Sequence, residues 1–549
     1  MKFFKINSNN FAVIIIFILT FIVGLLTFKD YGIGIDDKFQ RLSGFYWLNY
    51  ILSFTDLNEL KELTLIKLNA ISGPTLPSIE YYNRYGILFD VPAAFLEIIF
   101  NINDTKNYYL FRHFLNFLYF FIGSIFFYKI LKNRFDNFTS LCGTAMFILS
   151  PRIYGDSFYN MKDIIFLSFL SIALFYCFEF FKKNNYTNLI FFSLFSAMCI
   201  QMRVLGIFIP LAFLGFYILS LISNKEEIKK IFQYFLYLLF TIFFLYLLWP
   251  YLWEDPLKNF LINFSYADSI PGGMKIFFKG EFISIKFMPY DYILTWIIIS
   301  TPIIHISLFF IGFIFIFQRL IKRLFTFENI KIKKYDLWRN YNEKKDLFVF
   351  ICLIVIVSSL TILNISLLNT WKYLYFLNIF IVYIGSYSIY FLINKFKKNN
   401  KIKVFKIFII CSFIFVTARM VQYHPYQGLY FNVLLSGKYK NNFDIDYTAL
   451  SGKYALKQML DLENNKKVIN IGVASWTPLE RSKEMLDKKL RSKINIVGQN
   501  YSLADYIYTN NISEVDKKLN NKYDIPNNFI KIYNLIIDDL VIYEIYKKI

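Results

Sequence analysis

Cysteine and histidine are scarce: five and three among 549 residues. Cys142, Cys177, Cys199, Cys352 and Cys411 all lie in apolar runs, without paired spacing or a histidine beside them. That excludes a disulfide framework and speaks against a zinc site; they read as small hydrophobes. Charge is also sparse, at 18% of residues, and within the long apolar runs His305 is the one ionisable group near mid-depth. The composition is instead 56% hydrophobic and 21% aromatic with a mean hydropathy of +0.42, which excludes an ordinary soluble protein. In a soluble chain a net charge of +21 would point to nucleic acid; here it must first be read against membrane topology, and part of it reflects a Lys-, Asn-, Ile- and Phe-rich bias. No internal repeat is present.

A span needs roughly 20 apolar residues to cross about 30 Å of hydrocarbon. Runs of this kind predict a polytopic α-helical protein with eleven spans, near 11–28, 108–130, 136–150, 163–181, 186–202, 204–223, 229–250, 291–318, 347–368, 373–394 and 402–421. The first has no small-residue cleavage site and reads as an anchor. With the N-terminus in the cytoplasm, Lys129, Lys132, Arg134, Lys182, Lys183, Lys225, Lys229, Lys230 and the basic stretches 319–346 and 395–406 share one side. About 25 Lys and Arg then lie inside against roughly eight in the short outer loops, the asymmetry of a positive-inside topology.

Two large regions face outward. In the loop 29–107, YGILFDVPAAFLEIIFNIN is apolar but interrupted by Asp90, Pro92 and Glu97, which suits an interfacial helix better than a span. The tail 422–549 turns polar and reads as a small extracytoplasmic α/β domain. KVINIGVAS, INIVG and DYIYT are strands, TPLERSKEMLDKKL a helix starting at Pro478 after an N-cap Thr477, and FIKIYNLII and LVIYEIY a hairpin around Asp538 and Asp539. The tail has no Gly-rich phosphate loop and no nucleophile with a base partner.

Ionisable residues gather at the outer ends of the spans: Asp36 and Asp37, Arg112 and His113, Arg152, Asp156, Lys162 and Asp163, Arg203, Glu254 and Asp255, and Lys372. Each alone could be an interfacial anchor with a snorkelling side chain. As a set they describe a surface site, where cations stabilise a lipid phosphate as leaving group and a carboxylate deprotonates an acceptor. Secondary transporters keep polar groups near the midplane, which this chain lacks. His424 could line the site or cap a helix end, and His305 reads as a packing residue. Trp249, Trp253, Tyr290, Tyr292 and Trp371 form an aromatic set, by default an interfacial belt and compatible with stacking on a sugar or polyprenyl chain. Glu254 and Asp255 either meet an acceptor or cap a helix.

Several stretches in order resemble the GT-C superfamily of membrane glycosyltransferases, of the protein O-mannosyltransferase and aminoarabinose-transferase type. They are GIGIDDKFQRLSG, YYLFRHFLNFLYFFIGSIFFYKILKNRF, SPRIYGDSFYNMKDIIFLSFLSIALFY, WPYLWEDP, MPYDYILTWIIISTP, NTWKYLYFLNIF and HPYQGLYFN…DIDYTALSGKYALKQML, together covering most of residues 29–460. The resemblance implies a GT-C transmembrane module over 1–421 and an extracytoplasmic domain over 422–549. It implies Asp36 as catalytic base, with Asp37, where relatives carry Glu, supporting or replacing it. It implies Asp163 as a second acid near the donor head group or a metal, and Arg203 and Lys372 as phosphate ligands, Lys372 standing where relatives often carry a fork-shaped Arg. Arg112, opening the second span, joins this donor set; Glu254, Asp255, Tyr290 and His424 are candidates to line the site or meet the acceptor.

The function so implied is inverting transfer of a sugar from a polyprenyl-phosphate donor to a protein, lipid or glycan acceptor at the outer face of a bacterial inner membrane. Membrane lipid is a partner and nucleic acid is not. No cofactor is required by the sequence, though carboxylates near a phosphate are compatible with a divalent metal, for which Asp163 is the candidate ligand. The competing readings are a lipid-linked sugar flippase or transporter, and a polysaccharide polymerase or ligase.

Overall fold

The computed structural model describes residues 8–72, 82, 84–222, 231–266, 274–325, 337–368, 370–396, 401–435, 437–463 and 468–549. The apolar run after the N-terminus forms α1 (Ser8–Thr27). The following loop is largely helical, with α2 (Asp37–Leu52), α3 (Asn58–Ser72) and α4 (Ile87–Ile99), the last falling on the apolar stretch interrupted by Asp90, Pro92 and Glu97. Asp104 caps α5 (Thr105–Lys132) by accepting the Lys106 N–H at 3.1 Å, and Asp136 caps α6 (Asn137–Ile148) in the same way through Thr139. The chain then turns at Ser150 into α7 (Pro151–Tyr159), with proline in the first turn where its missing N–H costs nothing. Next come α8 (Asp163–Lys183), α9 (Tyr186–Met202), α10 (Phe208–Ile222) and α11 (Ile231–Leu248).

Beyond α11 lie the short α12 (Pro256–Tyr266) and a hairpin of β1 (Lys275–Phe278) and β2 (Glu281–Ser284). The segment expected as one span is two helices, α13 (Tyr292–Ser300) and α14 (Ile303–Phe325). Thr301 is forced extended ahead of Pro302, which breaks the run. The membrane part closes with α15 (Tyr341–Ile362), α16 (Leu377–Phe396) and α17 (Lys401–Tyr423).

Among the described residues eight helices are long and apolar enough to cross a membrane: α5, α8, α10 with its leading 3-10 turn, α11, α14, α15, α16 and α17; α1 and α9 are shorter apolar helices. The protein is a multi-pass α-helical membrane protein. The run 136–150, expected as a span, yields a 12-residue α6 of about 18 Å, short of the hydrocarbon thickness. The basic residues at 225–230, 326–336 and 397–400 lie outside the described residues.

Burial sorts the helices: α8 and α16 are enclosed over most of their length, whereas α11 and α17 turn most of theirs outward to lipid. Lipid offers no hydrophobic drive for helix association, so close backbone approach through small residues matters. Gly123 of α5 illustrates this, since a Cβ there would stand 2.8 Å from the Ser168 Cα of α8. One end of the bundle is tied by a buried carboxylate, Asp346, which accepts both arms of Arg134 (2.8 and 2.7 Å), Arg319 (3.0 Å) and the Tyr383 hydroxyl (2.8 Å). Four cysteines are buried as small hydrophobes and Cys411 is exposed. His305 is buried in α14 against Phe413.

The other end carries the small C-terminal sheet domain. After α18 (Gly452–Leu462), β3 (Ile469–Val473), β4 (Ile494–Gly498), β5 (Tyr506–Thr509), β6 (Phe529–Ile537) and β7 (Leu540–Lys548) form one sheet in the order β4-β3-β5-β7-β6. β3 is parallel to β4 and β5, and β7 antiparallel to β5 and β6. Asp538 and Asp539 both take positive φ (52° and 64°), the backbone that a two-residue hairpin needs. The helix expected from Pro478 is instead two short ones, α19 (Glu480–Glu484) and α20 (Lys488–Arg491), and Leu479 rather than Thr477 precedes the first. Met485 and Leu486 are drawn into the core while Asp487 leaves the helical path to pair with Lys106 at 2.6 Å. Thr477 donates to Asn510 at 3.0 Å.

The sheet domain is fastened to the bundle by ionic contacts. Arg491 reaches Asp104 and Thr105, and Tyr109 donates to Glu484 at 2.9 Å. At the hairpin tip Asp538 accepts Arg419 (2.6 Å) and Tyr423 (2.8 Å) from the end of α17 and Lys440 (2.6 Å) from the 3-10 turn Gly437–Asn442. Burial works to raise this carboxyl, but the three donors outweigh it and bring it down to about 2. A depressed carboxyl stabilises docking above its ordinary pKa and loses that contribution as pH falls from about 4 towards 2. Acidification over this window, or Asp538→Asn at neutral pH, is expected to speed proteolysis or hydrogen exchange in β6 and β7 while the sheet itself stays folded.

Candidate active site

The acidic loop after α1 is held from both sides. Lys453 of α18 donates to the carbonyls of Lys29, Asp30 and Tyr31, the latter two at 3.3 and 3.2 Å. Tyr31 donates to Gln427 at 3.0 Å, and Gly32 packs so closely under the Leu450 carbonyl that a Cβ would overlap it. The adjacent acids diverge at the start of α2. Asp37 is buried, accepts the Gly34 N–H at 3.0 Å and lies 3.9 Å from His113 Nε2. Burial pushes its carboxyl up, against His113 and the Gly34 N–H. Asp36 is exposed; its carbonyl accepts the first bond of α2 at 2.9 Å, and its carboxylate makes no capping hydrogen bond. Of the two acids, Asp36 is therefore the one open to an incoming molecule.

The second acid, Asp163, opens α8 beside Asn160, which donates to it at 3.0 Å and in turn accepts its backbone N–H at 3.1 Å. Its other oxygen receives Arg203 through two nitrogens, at 2.6 and 2.9 Å. Arg203 sits in the extended joint between α9 and the turn before α10, its guanidinium 4.3 Å from the Tyr373 ring centre. Asp156 accepts Tyr159 (2.7 Å) and Asn160 (3.1 Å), and burial pushes its carboxyl up.

Lys372 joins these groups. It stands in a short 3-10 turn before α16, with Nζ 5.5 Å from the Tyr373 ring. Burial works against its charge, yet Tyr373, Asp36, Asp163 and Asp156 hold the ammonium well above its usual pKa. Asp36, Asp163, Arg203 and Lys372, read separately from four segments, thus meet at one end of the bundle, with Asp37 directly behind Asp36. Asp156, which the sequence reading placed among the outer-end charges without a role, and Tyr373, which it did not single out, are members of the cluster. The signal for Asp156 was its spacing to Asn160 and Asp163, and for Tyr373 its place beside Lys372.

The remaining candidates are placed differently. Arg112 is fully buried, paired with Asp90 at 3.1 Å, and its Nε and Nη2 atoms have no hydrogen-bond partner; burial raises the Asp90 carboxyl to about 6 despite Arg112. Glu254 accepts the Tyr50 hydroxyl at 3.1 Å, and Asp255 faces the Lys258 N–H at 3.4 Å in the first turn of α12. Tyr290 stands 80% exposed before α13, whereas Trp249, Tyr292 and Trp371 are packed in the core rather than arrayed as a belt. His424 lies 3.1 Å from Asp30 and 3.2 Å from Gln427, in a loop whose Gly428 abuts Tyr159 and Asp156. Among the described residues no three His, Cys, Asp or Glu side chains are grouped to hold a metal ion. Asp163, already in contact with a guanidinium, is poorly suited to bind a cation.

The fold, a polytopic helical bundle with a small sheet domain at one end, resembles that of solved membrane glycosyltransferases. The Archaeoglobus fulgidus oligosaccharyltransferase in its apo form shares it at 11% identity, over 93% of this chain and 70% of that one, with a TM-score of 0.51. ArnT from Cupriavidus metallidurans bound to undecaprenyl phosphate aligns over 98% of both chains at 10% identity, with a TM-score of 0.46. The sequence model of the dolichyl-phosphate-mannose-protein mannosyltransferase family matches residues 91–249, which run from α4 to the end of α11. No curated protein matches the chain.

Proposed function

We propose that the protein is an inverting glycosyltransferase that moves a sugar from a polyprenyl-phosphate donor to an acceptor at the outer face of a bacterial inner membrane, with its N-terminus cytoplasmic. Residues 1–421 carry the transfer, and 422–549 form an extracytoplasmic domain. The observation that carries the reading is the meeting of the exposed Asp36 with the partly buried Lys372 and the Asp163–Arg203 pair. The matched family, whose description names a polyprenyl-phosphate sugar, supports the donor class.

In this reading Asp36 accepts the proton of the acceptor's nucleophile as that atom attacks the anomeric carbon. The bond from that carbon to the phosphate oxygen breaks on the opposite face, and the charge gathering on the phosphate is met by Lys372 and by Arg203. Asp163 fixes Arg203 at 2.6 Å so that the guanidinium is preorganised. Asp37, bound to the Gly34 N–H, fixes the loop that presents Asp36. A single displacement with one base requires no nucleophilic carboxylate, so configuration inverts. The test is reconstitution in liposomes with polyprenyl-phosphate hexoses and pentoses, following release of free polyprenyl phosphate. Release that depends on both Asp36 and an added acceptor supports the reading; none with any donor overturns it.

A further inference from the structure

The C-terminal sheet has a feature that transfer chemistry does not use. β3 leads to β4 on one side while β5 joins it on the other, so the β3–β5 junction is a topological switch point, and open α/β sheets place ligands outside the carboxyl ends of strands at such a point. The loops leaving those ends carry Ser475 and Trp476 after β3 and Asn510 and Asn511 after β5, bridged by the Trp476 N–H to the Ile512 carbonyl at 2.9 Å. The depth of the crevice is filled by the chain's own Asp446, whose carboxylate takes the Leu450 N–H (2.8 Å), the Ser451 hydroxyl (2.5 Å) and the Asn510 amide (3.3 Å).

Its mouth stays open. Trp476 is 36% exposed and stacks on Tyr447 with ring centres 5.3 Å apart and planes 19° apart, so one indole face is covered while part of the residue stays open to solvent. Beside it the Ser475 hydroxyl is buried without a hydrogen-bond partner, and Asn511 is exposed. We propose that this mouth binds a saccharide ring of the acceptor. A partly exposed indole backed by Tyr447 suits the C–H face of a pyranose, and a hydroxyl and an amide on the neighbouring residues suit the ring's hydroxyls. The same loop that supplies Tyr447 runs on to Leu450, packed on Gly32 four residues before Asp36, which places acceptor capture beside the transfer site.

The inference deepens the proposed function by naming an acceptor class, and its test does not need turnover. Full-length protein in nanodiscs is titrated with chitotriose, mannotriose and maltotriose, and with a Ser/Thr-rich decapeptide, by calorimetry and saturation-transfer NMR. The expected result is binding of at least one trisaccharide, weakened by about 10-fold or more in Trp476→Ala and within about 3-fold of wild type in Trp476→Phe. No trisaccharide binding, equal binding in Trp476→Ala, or Trp476-dependent binding of the peptide alone overturns it. Trisaccharide binding that persists when no polyprenyl-phosphate donor is consumed would sink the transferase reading and leave this site standing.

Discussion

Asp36→Asn is expected to lower sugar transfer by at least about 100-fold while membrane insertion and donor binding stay at wild-type levels. The substitution keeps the volume and removes proton acceptance, and losses of a general base are of that size. Asp36 is exposed and free of capping bonds, so stability should not change. Asp37→Asn provides the contrast: Asp37 is buried between Gly34 and His113, and its loss is read as lower thermal stability with residual transfer per folded molecule. Transfer measured in liposomes, with donor binding followed in parallel, separates the two. Near-normal turnover in Asp36→Asn removes it as the base, and near-normal turnover in both variants overturns the mechanism.

The second large effect is expected at Lys372. Lys372→Ala removes the ammonium that offsets Asp36, Asp156 and Asp163, and of the cations left nearby Arg203 is already engaged by Asp163 and Arg152 donates to the Tyr430 carbonyl. Donor affinity and the chemical step should fall together, the latter by about 100-fold or more, as when a preorganised charge-stabilising donor is lost. Lys372→Arg keeps the charge and adds a fork able to bind phosphate in a bidentate way, so it should recover most of the lost binding. Unchanged donor affinity in Lys372→Ala, by direct titration with polyprenyl-phosphate sugar, would remove Lys372 from the donor site.

What the sequence revealed and what it hid divide along physical lines. Hydropathy and the ordered motifs were enough for the bundle, the helix α4 and the sheet domain with its Asp538–Asp539 hairpin, because each is written in local periodicity and turn chemistry. The break at Thr301–Pro302 was also written locally, in the proline itself, but was absorbed into a long apolar run. The split between α19 and α20 was not legible, since it accompanies the burial of Met485 and Leu486 in a core built from distant segments. The same holds for the site. Spacing indicated that Asp36, Asp163, Arg203 and Lys372 share one end of the bundle. It could not indicate that Arg203 would be held by Asp163, that Arg112 would be taken by Asp90, or that of two adjacent aspartates one would be buried and the other open. Those outcomes depend on packing between distant helices.

The most direct measurement is the anomeric configuration of the product. Purified protein in liposomes is given a polyprenyl-phosphate sugar of defined anomeric configuration and an accepting glycan, and the new linkage is read by NMR. A single displacement driven by Asp36, with phosphate leaving towards Lys372 and Arg203, predicts complete inversion and release of one polyprenyl phosphate per sugar transferred. Retention of configuration, or movement of intact lipid-linked sugar across the bilayer without release of the phosphate, would contradict it.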